Sequence, residues 1–167
     1  LARPELLLAA YALAAAVTAR PGRSTILTQQ GNFPTDIYAA EGLAALRPDL
    51  RLRAAAADRI EPLLDDDTAV LFLTHIDYRD GFRHDLHALN DAAHAAGALT
   101  LWDLSHSAGA VEIGLNASNC DLAVGCGYKY LNGGPGAPAF IYVSERLQGE
   151  LQSPLRGWMG HADPFRF

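Results

Sequence analysis

Lys129 is the sole lysine of the sequence, set against twelve arginines, in the run Gly125-Cys126-Gly127-Tyr128-Lys129-Tyr130-Leu131-Asn132-Gly133-Gly134-Pro135-Gly136. A guanidinium stays charged, whereas an amine can lose its proton and condense with an aldehyde. A lysine between apolar segments and ahead of a glycine-rich turn therefore reads as a Schiff-base former. An isolated loop lysine is ordinarily a surface residue, but the upstream neighbours change that reading. Asp103 and His106 stand in Leu101-Trp102-Asp103-Leu104-Ser105-His106-Ser107-Ala108-Gly109-Ala110. The apolar run 98–102 ends in an Asp followed by small and polar residues. That is the pattern of a buried parallel strand delivering a carboxylate at its C-terminal end, where open α/β sheets bind their ligands. Asp103 could equally cap the turn that follows, and His106 taken alone could cap or fill a core.

An amine and a strand-end carboxylate 26 positions apart, with a second apolar strand between them, suit pyridoxal 5'-phosphate. That cofactor needs an amine for its aldehyde and a carboxylate to keep its ring nitrogen protonated. The elements that must position these groups follow from the apolar patterning. Helices are predicted at about 4–19, 36–46, 58–64 (short), 84–96 and 144–150. Strands are predicted at 24–28, 50–53, 69–74, 98–102, 121–125 and 139–143. Strands alternating with helices predict an α/β fold, a mostly parallel sheet sandwiched by helices. The continuous run Ala69-Val70-Leu71-Phe72-Leu73 marks a central strand. No repeat, linker or low-complexity segment divides the chain, so one domain is expected.

Composition narrows the function classes. Half of the residues are hydrophobic and 19% are charged, which is globular composition. The net charge of −6, with scattered arginines, argues against a nucleic-acid partner. Cys120 and Cys126 give neither a disulfide framework nor zinc spacing, so a cytoplasmic setting is the default expectation. Cys126 is expected to pack as a small hydrophobe. The apolar stretch 6–17 is shorter than the roughly 20 residues of a membrane span and lacks signal-peptide flanks. It reads as a buried helix, with no membrane partner. Asp65-Asp66-Asp67 reads as a solvated turn. His87, Asp91 and His94 share a helical face, but without further ligands they and His84 read as a solvent-facing helix, and no metal is expected.

The run Leu101–Ala110, the segment Gly114-Leu115-Asn116 and the run Asp121–Phe140 closely resemble the kynureninase family. Asn32-Phe33-Pro34-Thr35-Asp36, Leu73-Thr74-His75 and Gly157-Trp158-Met159-Gly160-His161 extend the resemblance over nearly the whole chain. It implies a pyridoxal-phosphate hydrolase with the large-domain fold of the aspartate-aminotransferase group. The implied reaction converts L-kynurenine, or 3-hydroxykynurenine, to anthranilate, or 3-hydroxyanthranilate, and L-alanine, in tryptophan catabolism. Lys129 would then bear the cofactor and move the α-proton, Asp103 would pair with the ring nitrogen, and His106 would lie against the cofactor. Tyr128 would contact the phosphate and assist proton transfer. Phe33 would stack on the ring, Pro34, Thr35 and Asp36 would wrap it, and Thr74 would contact it. Trp158 would reach a phosphate in the dimer-related subunit, so a homodimer is implied. From the residues alone, Pro34, Thr35 and Asp36 are equally ordinary at the start of a helix.

One segment departs from the family pattern. Ile76-Asp77-Tyr78-Arg79-Asp80-Gly81 stands where the family more often has Asn before Tyr and Ser or Thr before Gly. The resemblance also places a phosphate loop ahead of the first helix and a small domain, with an arginine for the substrate carboxylate, beyond residue 167. The chain is therefore expected to be the central part of a large domain, incomplete at both ends. By itself it is expected to bind cofactor weakly and to be inactive. The rival readings are another enzyme of the same fold group, a cysteine desulfurase or class V aminotransferase, or an inactive fragment of such an enzyme.

Overall fold

In the computed structural model, residues 4–152 are described, together with 163 and 165. The chain runs α1 (Pro4–Thr18), β1 (Thr25–Gln29), α2 (Pro34–Leu46), β2 (Arg51–Ala55), β3 (Thr68–Thr74), α3 (Leu86–Ala95), β4 (Leu99–Asp103), β5 (Leu122–Cys126) and β6 (Ala139–Val143). The strands form one sheet in the order β2-β1-β3-β4-β5-β6, parallel except for the antiparallel β5–β6 pair. The mostly parallel sheet agrees with the sequence reading. Two predicted helices shrink to 3-10 turns: 58–64 becomes two of them, Ala57–Arg59 and Glu61–Leu63, and 144–150 becomes one, Glu145–Leu147. Pro62 offers no N–H to a longer helix, and Gly149 weakens helix at its position.

Alternate residues of the central strands feed two cores. Val70, Phe72, Leu99, Leu101, Leu122 and Val124 face α1 and α2, whose contact residues are mostly alanines (Ala9, Ala12, Ala16, Ala39, Ala40). Small side chains let these helices lie close on the sheet. The opposite face sets Leu71, Leu73, Trp102 and Ala123 against Leu86 and Ala93 of α3. Every residue of β3, β4 and β5 is buried, as a sheet covered on both faces requires. Trp102 brings a polar atom into that interior, and Nε1 donates to Asn90 Oδ1 at 2.8 Å while Asn90 Nδ2 donates to Ser118 O. Asn90→Ala would strand both partners in the core. It is expected to destabilise the fold by about 2 kcal/mol, measured as a shift in denaturation midpoint. An unshifted midpoint would mean that water replaces the amide.

The histidines expected on a solvent-facing helix are a correction. His87 alone fits, exposed and paired with Asp91. His84 precedes α3, is buried, and its Nε2 meets Gln29 Oε1. His94 is half-buried, with Nε2 2.8 Å from a carboxylate of fully buried Asp121, which Arg146 also pairs. Tertiary partners from β1 and the start of β5 account for both. Asp65-Asp66-Asp67 forms a turn whose outer two carboxylates are engaged. Asp67 accepts from Ser24 and Thr25 at the start of β1, and Asp65 from Thr68 and Arg53.

The C-terminal ends of β1, β3, β4 and β5 meet at one edge of the sheet. The chain leaves β1 toward β2 on one side, while β3 leads to β4 on the other. This is the switch point at which open α/β sheets form a crevice.

Candidate active site

Each strand ending at that crevice contributes to it. Asp103 is the last residue of β4 and lies in register with Thr74, the last of β3. Its Oδ1 accepts the Ser105 N–H at 2.7 Å, so the turn-capping role and a buried strand-end carboxylate coexist in one residue. After β1, Asn32 uses both ends of its amide. Oδ1 accepts the Phe33 N–H at 2.8 Å, and Nδ2 donates to Thr28 Oγ1. That brace sets Phe33 at the N-terminus of α2, where Pro34 occupies the first turn with its missing N–H at no cost. Asp36, one turn in, is buried and accepts from Thr74 Oγ1 at 3.1 Å.

Lys129 is delivered by the loop after β5. The loop folds back on itself, with Gly127 donating to Pro138 O and Gly133 to Gly127 O. A Cβ at Gly127 or Gly133 would strike that backbone, which explains two glycines flanking the lysine. Lys129 Nζ lies 3.0 Å from His106 Nε2 and 5.2 Å from the Phe33 ring centre, with the Tyr128 ring at 5.9 Å. Phe33, Thr35, Asp36, Asp103, Tyr128 and Lys129 line one recess, together with Ser105 and Val124. A larger cavity of about 440 Å³ between α1 and β6 is lined mostly by apolar side chains and holds no such set of groups. Chemistry, not volume, identifies the site.

The electrostatics are unusual in one respect. Burial, and next the charge of Asp103 beside it, hold the Asp36 carboxyl well above the usual carboxylate range. Asp36 thus keeps its proton to higher pH than an ordinary carboxyl. A carboxyl raised in the folded state favours that state at acidic pH, and the contribution is lost as pH rises through the raised value. Asp36→Asn removes this dependence. The stability of the variant relative to wild type is therefore expected to rise with pH above the ordinary carboxylate range, read as the difference in melting temperature across a pH series. A pH-independent difference would show that Asp36 ionises normally.

Burial, then the Lys129 charge, lowers the His106 imidazole below its ordinary value, so it is neutral near pH 7. With Nε2 facing Lys129, its buried Nδ1 finds no hydrogen-bond partner among the described residues. An amine, a carboxyl pair, an aromatic face at Phe33 and an unmatched ring nitrogen fit a group carrying an aldehyde and a basic ring nitrogen. Pyridoxal phosphate has both.

Eight of the ten residues singled out from the sequence gather at this crevice: Phe33, Thr35, Asp36, Thr74, Asp103, His106, Tyr128 and Lys129; Pro34 stands between Phe33 and Thr35 at the start of α2. Trp158 lies outside the described residues. Sequence reasoning missed Asn32 as the brace of Phe33, and it missed Tyr78, whose ring packs edge-on to Phe33 at 5.3 Å. An Asn before an aromatic–Pro pair was the available signal for the first. Cys126 is buried, as expected of a small hydrophobe.

Comparison with known proteins agrees with this chemistry. Residues 8–161 match the family model for aminotransferase class-V. A kynureninase of Deinococcus radiodurans is 53% identical over 154 residues, covering 92% of this chain and 37% of that enzyme. A kynureninase of Burkholderia mallei is 51% identical over 148 residues, covering 87% and 35%. The chain thus spans little more than a third of the length of these relatives. Among solved structures, the apo cysteine desulfurase of Thermococcus onnurineus superposes with a TM-score of 0.76 at 18% identity, over 92% of this chain and 40% of that one. An alanine–glyoxylate aminotransferase from Nostoc gives 0.63 at 24% identity, over 83% and 39%. At such identities these structures speak to the fold alone.

Proposed function

Because the chain belongs to the aminotransferase class-V family, whose members work with pyridoxal phosphate, we propose that it serves the hydrolysis of L-kynurenine to anthranilate and L-alanine. The observation that carries this is the meeting of Lys129, His106 and the Asp36–Asp103 pair at one crevice, in a chain about half identical to kynureninases. The 3-hydroxylated substrate is accommodated by the same argument. In the balanced reaction, the oxygen of one water enters the aryl carboxylate. The bond between the carbonyl carbon and the β-carbon breaks, and the β-carbon takes a proton to become the methyl of alanine.

When bound, pyridoxal phosphate supplies an aldehyde for an amine and a protonated ring that draws an electron pair from the α-carbon. Lys129 provides the amine, and its Nζ is the base at hand for the α-proton. His106 Nε2, at 3.0 Å, orients that amine and can accept a proton from it. Asp103 is the carboxylate for the ring nitrogen. Asp36, bonded by Thr74 and pushed toward its neutral form, lies beside Asp103 and resists adding a second charge there. Phe33 supplies the stacking face and, with Pro34 and Thr35, one wall. Tyr128 is assigned to the phosphate and to proton transfer, and Trp158 to a phosphate across a homodimer.

A desulfurase would need a mobile nucleophilic cysteine. Cys120 and Cys126 are both buried, and burial pushes the Cys120 thiol up to about 12. Neither of these buried thiols is placed for that role. The test is direct: a full-length protein carrying these residues, loaded with pyridoxal phosphate, should release fluorescent anthranilate from L-kynurenine. Transamination of kynurenine, or sulfide release from cysteine, in place of anthranilate would overturn the reading.

A further inference from the structure

The turn after β3 is fixed more firmly than a connection of its length requires. Ile76 bridges Arg83, the Asp77 N–H donates to Phe82 O at 2.8 Å, and the His84 N–H donates to His75 O at 3.0 Å. Buried Asp77 then receives three bonds from Arg79: the backbone N–H at 2.8 Å, Nε at 3.0 Å and Nη2 at 2.6 Å. The Arg79 guanidinium in turn sits against Gly31, at a φ of +73°, where any Cβ would strike it. Asp77 is the residue at which this chain departs from the Asn usual in the kynureninase pattern. An Asn has no negative charge with which to hold the fork of Arg79 so firmly.

Between these two anchored residues stands Tyr78. Its ring meets Phe33 edge-on at 5.3 Å, lies near-parallel to His106 at 6.4 Å and 27°, and has the Arg79 guanidinium 5.8 Å from its centre. Phe33 and His106 are themselves the neighbours of Lys129 Nζ. Tyr78 is thus the outer member of an aromatic wall that begins at the reacting amine. It is nevertheless 44% exposed, at the mouth of the crevice. A half-open aromatic ring whose entropy has already been removed is suited to receive another flat apolar group, since little ordering remains to oppose binding.

We propose that Tyr78 is the residue by which this site selects a substrate bearing an aryl ketone, with Asp77 and Arg79 as the positioning residues that hold it. The inference rests on the kynurenine reading above and adds to it the part of the chain that senses the arene. Edge-to-face and offset contacts of this kind are worth roughly a factor of 2 to 13 in affinity beyond the area they cover.

The test uses a full-length, cofactor-loaded protein and two probes: anthranilate, by its fluorescence, and L-alanine, by the absorbance of the bound cofactor. Tyr78→Leu should weaken anthranilate binding roughly tenfold and raise KM for kynurenine similarly. L-alanine affinity and kcat should stay within about twofold, and Tyr78→Phe should behave as wild type. Asp77→Ala should show the same selective loss to a lesser degree, with Asp77→Asn partly restoring it. Anthranilate affinity unchanged in Tyr78→Leu, with wild type still hydrolysing kynurenine, would overturn this inference alone. Equal weakening of both probes would reduce Tyr78 to a structural role and overturn it too. A wild-type protein that binds anthranilate no better than alanine and leaves kynurenine intact would overturn the kynurenine reading and this inference with it.

Discussion

Lys129→Arg is expected to abolish turnover, by at least about 10⁴-fold, while leaving the fold in place. The substitution keeps the positive charge beside His106 and Phe33, so any loss comes from the missing nucleophilic amine and not from electrostatics. Lys129 is half-buried at the crevice and its Nζ hydrogen-bonds to His106, so stability should change by less than about 1 kcal/mol. Incubation of a full-length protein with pyridoxal phosphate, followed by borohydride reduction, should place a stable pyridoxyl group on the peptide containing Lys129. The arginine variant should carry none within these 167 residues, since the sequence holds no second lysine to take its place. A labelled wild-type protein whose Lys129 peptide is unmodified would remove the residue from the chemistry altogether.

The positions of the strands and most of the residues that meet at the crevice are legible because they are written locally, whereas the strand order is not. A buried strand in a parallel sheet needs a continuous apolar run, and β3, β4 and β5 have one apiece, ending in Thr74, Asp103 and Cys126. Glycines mark the loop that carries Lys129 because two of them touch backbone where a side chain cannot fit. What escaped was written between segments. His84 and His94 look like surface residues of a polar helix until Gln29 and Asp121 arrive from elsewhere in the chain. The raised Asp36 carboxyl is a property of a pair, set by burial and by a carboxylate contributed by a strand far along the sequence. Tyr78 follows a departure from the family pattern at Asp77 and acquires meaning only when Arg79 is seen seated on Gly31.

Asp103→Asn should separate affinity from turnover. The asparagine side chain can still accept the Ser105 N–H, so the cap on the turn after β4 survives and cofactor affinity should fall by less than about tenfold. Turnover should fall on the order of 100-fold, the usual loss when one strong electrostatic stabiliser is removed from a reacting centre. The fall should also be incomplete, because part of what keeps Asp36 protonated is the charge of Asp103 itself. With that charge gone, Asp36 ionises more readily and can serve in part as a substitute carboxylate. The double variant Asp36→Asn, Asp103→Asn has no such reserve. Its turnover should drop well below the product of the two single effects, since coupled groups are not additive. Rates measured for the four proteins at saturating cofactor decide the matter. Additive losses would mean that the two carboxyls act independently, and a fully active Asp103→Asn variant would mean that Asp36 is the true partner of the ring nitrogen.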